Sequence, residues 1–149
     1  MMKQGALVLS EHRHRRRVQF YETDLAGIVH FSWYFRYMEE AEHALWRTAG
    51  LSVAPRGSEI GWARVSATCD FQRPLRFEEE FEVWIRVAAV TRKTIKYVCE
   101  VTRGDTKIAE GSMTVICVRM RPGEAIEAID IPSEITARLR VSQPAGGTA

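Results

Sequence analysis

Few side chains in this sequence have a type and spacing suited to chemistry. Most of them stand between Tyr21 and Gly50, YETDLAGIVHFSWYFRYMEEAEHALWRTAG. Asp24 lies in a polar turn that closes on Gly27, and the apolar pair Ile28 and Val29 then leads into a long helical pattern. A carboxylate just ahead of a helix start can act as a nucleophile or general base. The unpaired N–H groups and positive dipole end of that helix would stabilise an oxyanion. The commoner task of a Thr-Asp pair in a turn is to cap its own backbone, and spacing alone leaves both roles open. His30 could be a general base or a metal ligand. With His12, His14 and His43 it makes no HExxH, and no cysteine lies at ligand spacing, so no metal is expected. A core or substrate-lining histidine is the better reading. Glu39 and Glu40, mid-helix, read as a solvated or ion-paired face. No GxSxG, Walker loop or dinucleotide fingerprint is present, which weighs against serine hydrolysis and nucleotide binding.

A chain of 149 residues reads as one domain over 1–149, large enough for a real core. With 46% hydrophobic and 27% charged residues its composition is that of an ordinary globular protein. A net charge of +2 gives no strong field for nucleic acid or membranes, and no run reaches the length of a membrane span. The start carries charges but no apolar segment of the signal-peptide kind. Cys69, Cys99 and Cys117 are odd in number and lack a CxxC, so they read as small buried hydrophobes in a reducing compartment. Cytoplasm follows as the default expectation.

The elements that must position Asp24 follow from periodicity. Residues 1–11 read as a flexible start. The basic run His12 to Arg17, with Val18 and Phe20 alternating with Gln19 and Tyr21 behind it, reads as a strand entering the fold. Lacking interleaved aromatics or glycines, that run is better explained as a charged sheet edge than as a phosphate or nucleic-acid patch. Phe31, Tyr34, Phe35, Met38, Ala41, Leu45 and Ala49 recur at helical spacing, and Gly50 supplies the stop. Trp33, Tyr37, Ala44 and Trp46 widen the apolar surface, so this helix needs cover on most sides. From Trp62 the period becomes two. Ala63 to Phe71, Phe81 to Val87, Ile95 to Val101 and Ile108 to Met120 read as strands, with turns at Thr91-Arg92-Lys93-Thr94 and Gly104-Asp105. Pro132 to Leu139 suits a short closing helix, and 142–149 a flexible tail. The sum is α+β, a helix packed on one face of an antiparallel meander.

These residues also carry a resemblance. FYETDLAGIVHFSWYFRYMEEA resembles the signature of hotdog-fold acyl-CoA thioesterases of the 4-hydroxybenzoyl-CoA thioesterase type, in which Asp-x-x-Gly-hydrophobic-Val leads into the central helix. CDFQRPLRFEEEF at 69–81 is similar to that family's second strand and following turn, and EGSMTVICV at 110–118 to its last strand. Gly123 to Pro132 resembles its tail. Four segments in the right order are a specific match.

The resemblance implies a hotdog fold, a long central helix wrapped by a curved antiparallel sheet of about five strands. It implies hydrolysis of an acyl-CoA thioester without metal or cofactor, Asp24 attacking the carbonyl or activating water and the Phe31 backbone N–H holding the oxyanion. Gly27, His30, Tyr34 and Val65 would border the acyl group, and Arg92 and Lys93 would meet the coenzyme A phosphates. It implies a homodimer whose sites are completed by the partner, with tetramers as the next level of assembly. Three positions depart from the family: His30-Phe31 replaces a frequent Tyr-His, Trp33 stands for a small or amide residue, and Glu127 lies near a basic phosphate contact. The competing readings are an acyl-carrier-protein thioesterase of polyketide or fatty-acid metabolism and a non-catalytic acyl-binding hotdog protein.

Overall fold

The computed structural model describes residues 7–143. In chain order these form β1 (Glu11–Arg17), a 3-10 turn (Phe20–Glu22), α1 (Ser32–Thr48), β2 (Ile60–Phe71), β3 (Glu80–Val90), β4 (Thr94–Arg103), β5 (Thr106–Arg119), β6 (Glu127–Ala128) and α2 (Ser133–Thr136). The strands make one antiparallel sheet in the order β1-β3-β4-β5-β2, with the two-residue β6 on the end of β5. The sheet wraps α1, as a hotdog fold requires.

Period-two patterning decides which face is buried. Phe81, Val83, Ile85 and Val87 of β3, and Ile95, Tyr97, Cys99 and Val101 of β4, turn one face toward α1 and are buried with it. Tyr37, Met38, Ala41, Leu45 and Trp46 fill the facing stripe of the helix. Inside this core Trp46 Nε1 donates to the Tyr97 hydroxyl at 2.8 Å, so the indole N–H finds an acceptor within the apolar layer. Cys99 and Cys117 are buried and all three cysteines are free thiols. Gly50, at φ +79°, takes the left-handed conformation that stops α1.

Two sequence expectations need correction. The strand at the start ends at Arg17 instead of running to Tyr21, because Phe20–Glu22 turns sharply, with Glu22 N–H bonded to Gln19 O at 3.0 Å. In β2 the alternation from Ala63 to Phe71 is interrupted between Arg64 and Ser66 by a bulge, and Val65 is 58% exposed. The flexible start expected over 1–11 and tail over 142–149 fall partly outside the described residues. Within them, Leu9 exchanges backbone bonds with Arg138 and Arg140, and Ser142 N–H bonds Val87 O.

Close approach of α1 to the sheet depends on Gly111 of β5. A Cβ there would sit 2.9 Å from Met38 Sδ and also collide with the Thr68 carbonyl oxygen. Gly111→Ala is therefore expected to destabilise the fold by about 1–3 kcal/mol through overpacking, measurable by thermal or urea denaturation.

β1 presents His12, His14 and Arg16 toward α1, where His14 Nε2 lies 3.7 Å from Glu40 Oε1. Both histidines titrate below the ordinary 6.5: burial is the main cause, and the charges of neighbouring Arg47 and, for His12, of His14 add to it. Glu40 partly opposes this at His14. A depressed histidine pKa means the unfolded chain binds protons first, so this contribution is present above about pH 6.5 and lost as pH falls. The expected result is a melting temperature that declines from pH 7.5 to 5.5, with a shallower decline in a His12→Gln, His14→Gln variant.

Candidate active site

The loop between the 3-10 turn and α1 is a small hairpin of its own. Thr23 and Val29 form an antiparallel bridge. Asp24 N–H bonds Ile28 O at 2.9 Å, and Gly27 N–H bonds Asp24 O at 2.9 Å. Gly27 sits at φ +77°, where a side chain would be strained, so glycine is what lets the turn close. Val29 N–H bonds Leu75 O at 2.8 Å and Ile28 bridges Arg76, which anchors the hairpin to the β2–β3 connection. The Asp24 carboxylate at its tip is exposed, and its Oδ1 accepts the Ala26 N–H at 2.8 Å. This is the capping role that sequence alone allowed, and it leaves lone pairs on both oxygens free.

The returning limb delivers the start of α1. His30 N–H bonds Glu22 O at 2.9 Å, and Phe31 is the helix N-cap. His30 Nδ1 contacts Ser32 Oγ at 2.8 Å and accepts the Ser32 N–H at 3.3 Å. Trp33 N–H donates to His30 O. The Phe31 N–H has no acceptor among the described residues, and the Phe31 side chain makes no capping bond, so His30 covers only the next N–H along. A seventeen-residue helix therefore begins with an open donor at its positive end. Apolar side chains crowd the approach. Phe31 is 60% exposed, Leu25 is fully exposed, and the Phe20–Phe77 and Tyr21–Trp33 ring pairs flank the loop at 5.6 and 5.5 Å.

Asp24, Gly27, His30 and Phe31 thus come together. Tyr34 lies one turn below in the core, 3% exposed, with its ring 5.1 Å from Phe71 and burial pushing its phenol up to about 12. Val65 stands at the bulge in the middle of the edge strand β2. Arg92 and Lys93 do not join Asp24 within one chain. They form the tip between β3 and β4, whereas the Asp24 hairpin packs near Leu75 and Arg76, ahead of the start of β3. Eleven residues of β3 separate these ends, roughly 35 Å. Arg92 Nε is also engaged by Asp130 Oδ1 at 3.1 Å, and Glu127 lies 3.9 Å from Arg119.

Two buried carboxylates were not legible as special in the sequence. Glu22 is bonded by Arg16, Gln19 and Tyr37. Glu42 accepts from Arg64 Nη2 at 3.0 Å, and Arg64 also reaches Glu39. Their arginine and tyrosine partners come from other elements; only Gln19, three residues ahead of Glu22, is a local partner. Among the described residues no group of three His, Cys, Asp or Glu side chains is placed to hold a metal, and no helix is long and apolar enough to cross a membrane.

Comparison with known proteins agrees with this architecture. A putative esterase from Aquifex aeolicus (strain VF5) is 34% identical over 128 residues, covering 85% of this chain and 96% of that one. The crystal structure of a hypothetical protein from Aquifex aeolicus superposes with a TM-score of 0.79 at 33% identity, over 87% of this chain and 99% of the other. That of a gentisyl-coenzyme A thioesterase gives 0.76 at 26% identity, over 83% and 98%. The model of the thioesterase superfamily matches residues 26–110, more than half of the sequence. The chain belongs to the thioesterase superfamily and is a thioester hydrolase of hotdog fold.

Proposed function

We propose that the protein hydrolyses an acyl-CoA thioester to the free acid and coenzyme A, with Asp24 as the catalytic carboxylate. The observation that carries this is the pairing, in one hairpin, of the exposed Asp24 carboxylate with the open Phe31 N–H. The thioester carbonyl would seat its oxygen at the Phe31 N–H, where the helix dipole favours the charge that develops on attack. Asp24 would either add to the carbonyl carbon directly or take a proton from an attacking water. The 4-hydroxybenzoyl-CoA thioesterase resemblance and the similarity to a gentisyl-coenzyme A thioesterase support a coenzyme A ester. The exposed apolar rings around the loop suit an acyl group.

The remote position of Arg92 and Lys93 supports a dimer as the working unit. β2 is a sheet edge on which Val65 and Phe71 are exposed. A two-fold axis across this edge would lay the Ile60 end of one β2 beside the Phe71 end of the other. Since β5 pairs Ile60 with Arg119 and Phe71 with Ala109, the partner's β3–β4 tip would then approach this chain's Asp24 hairpin. The partner's Arg92 and Lys93 would meet the phosphates as cations on a turn tip, Arg92 exchanging Asp130 for phosphate.

Asp24→Ala is expected to stay folded while losing hydrolysis by about a hundredfold or more; undiminished turnover in a folded variant would remove the mechanism. Arg92→Ala with Lys93→Ala should raise KM for coenzyme A esters while leaving short thioesters that lack the nucleotide unaffected. Equal effects on both substrates would end the phosphate assignment.

A further inference from the structure

Glu22 has no part in the chemistry assigned to Asp24 and Phe31, yet its carboxylate is wholly buried, at 0% exposure. Oε1 accepts from Arg16 Nη1 at 2.7 Å, from the Gln19 N–H at 2.8 Å and from the Tyr37 hydroxyl at 2.9 Å, and Oε2 accepts from Arg16 Nη2. The donors come from β1, from the residue ahead of the 3-10 turn and from the second turn of α1. Arg16 also bonds Glu40 Oε1 through Nε at 2.6 Å, and its guanidinium lies 4.7 Å from the centre of the Tyr37 ring.

The main chain of the same residue holds the other side of the loop. Glu22 O accepts the His30 N–H at 2.9 Å. Asp24 follows Glu22 by two residues, and Phe31 follows His30 by one. The limb that carries the carboxylate and the limb that carries the oxyanion donor are therefore joined at one residue, which is fixed in turn to strand and helix. Stability alone is a weak reason to bury such a group, since well-packed apolar residues often replace a buried ion pair without loss.

We propose that Glu22, clamped by Arg16 and Tyr37, is a positioning residue for thioester hydrolysis that sets the spacing between the Asp24 carboxylate and the Phe31 N–H. This rests on Asp24 being the catalytic carboxylate. Misplacement of reacting groups by about 1 Å can cost on the order of a hundredfold in rate, so loosening the clamp acts on kcat. Arg16 and Tyr37 keep their protons near neutrality: burial opposes the Arg16 charge but bonds to Glu22 and Glu40 raise its pKa, and burial followed by the Glu22 bond holds the Tyr37 phenol far above its usual range.

The test compares Tyr37→Phe, Glu22→Gln and Asp24→Asn with the unmodified protein, using benzoyl-CoA and hexanoyl-CoA, far below each variant's melting temperature. Tyr37→Phe deletes one donor and keeps the core ring, and Glu22→Gln turns an amide N–H₂ toward donors. Expected are kcat losses of about threefold to tenfold for Tyr37→Phe and at least about tenfold for Glu22→Gln, with KM within about twofold and pH profiles of unchanged shape. Unchanged kcat in folded Tyr37→Phe, or a loss confined to KM, overturns the proposal. Should Glu22→Gln fail to fold, Tyr37→Phe decides alone. If Asp24→Asn is inactive while both clamp variants match the unmodified protein, only the positioning role is lost. If Asp24→Asn remains active, the catalytic reading falls and the positioning role with it.

Discussion

Everything in this molecule answers to the burial of one helix. Tyr37, Met38, Ala41, Leu45 and Trp46 of α1 are at most 1% exposed, and a helix carrying that much apolar surface is stable in water only under cover. Burying a side chain such as Met38 or Leu45 is worth about 1.5–3 kcal/mol. The sheet supplies the cover through a strict alternation on β3 and β4, and a one-residue slip of either strand would turn its apolar set away. Gly111 removes the one side chain that would hold the layers apart. The start of α1 is thereby fixed in space, and with it the open N–H of Phe31.

Burying the helix also buries carboxylates that need partners. Glu22 and Glu42 are the buried charged residues among those described, and each is met by an arginine arriving from a strand at a sheet edge, Arg16 from β1 and Arg64 from β2. Arg64 thus ties the β2 border to α1, and Arg16 ties the β1 border to the 3-10 turn and, through Glu40, to α1. The arginine on β1 is therefore part of the loop's support, although the alternate residues of its strand, Arg13, Arg15 and Arg17, face outward.

Periodicity made the helix, three of the strands, the β3–β4 turn and the Gly50 stop readable, because these rest on local rules of face and turn. Asp24 was readable only as a turn carboxylate. The family resemblance, not the spacing, singled it out. What escaped were departures from the period: the turn at Phe20–Glu22, closed by the bonds between Gln19 and Glu22, and the bulge at Val65. The separation of Arg92 and Lys93 from Asp24 escaped too, since a sequence gives no relative placement of two ends of one strand. Tyr34 and Phe71, apolar positions in their patterns, gave no sign that they would stack.

The two borders of the sheet are chemically unlike. β1 lines its outer edge with a run of arginines and histidines, HRHRRR, whereas β2 bears Arg64 and Asp70 as its charged residues over twelve positions. Charged edges resist strand addition and bare ones invite it. A copy joined at β2 leaves only β1 borders facing outward at both ends of the enlarged sheet, and these repel one another. If the proposed β2 dimer forms, growth along the strand-stacking direction would be self-terminating, and a chain with one such border would escape the endless ribbon that two would permit.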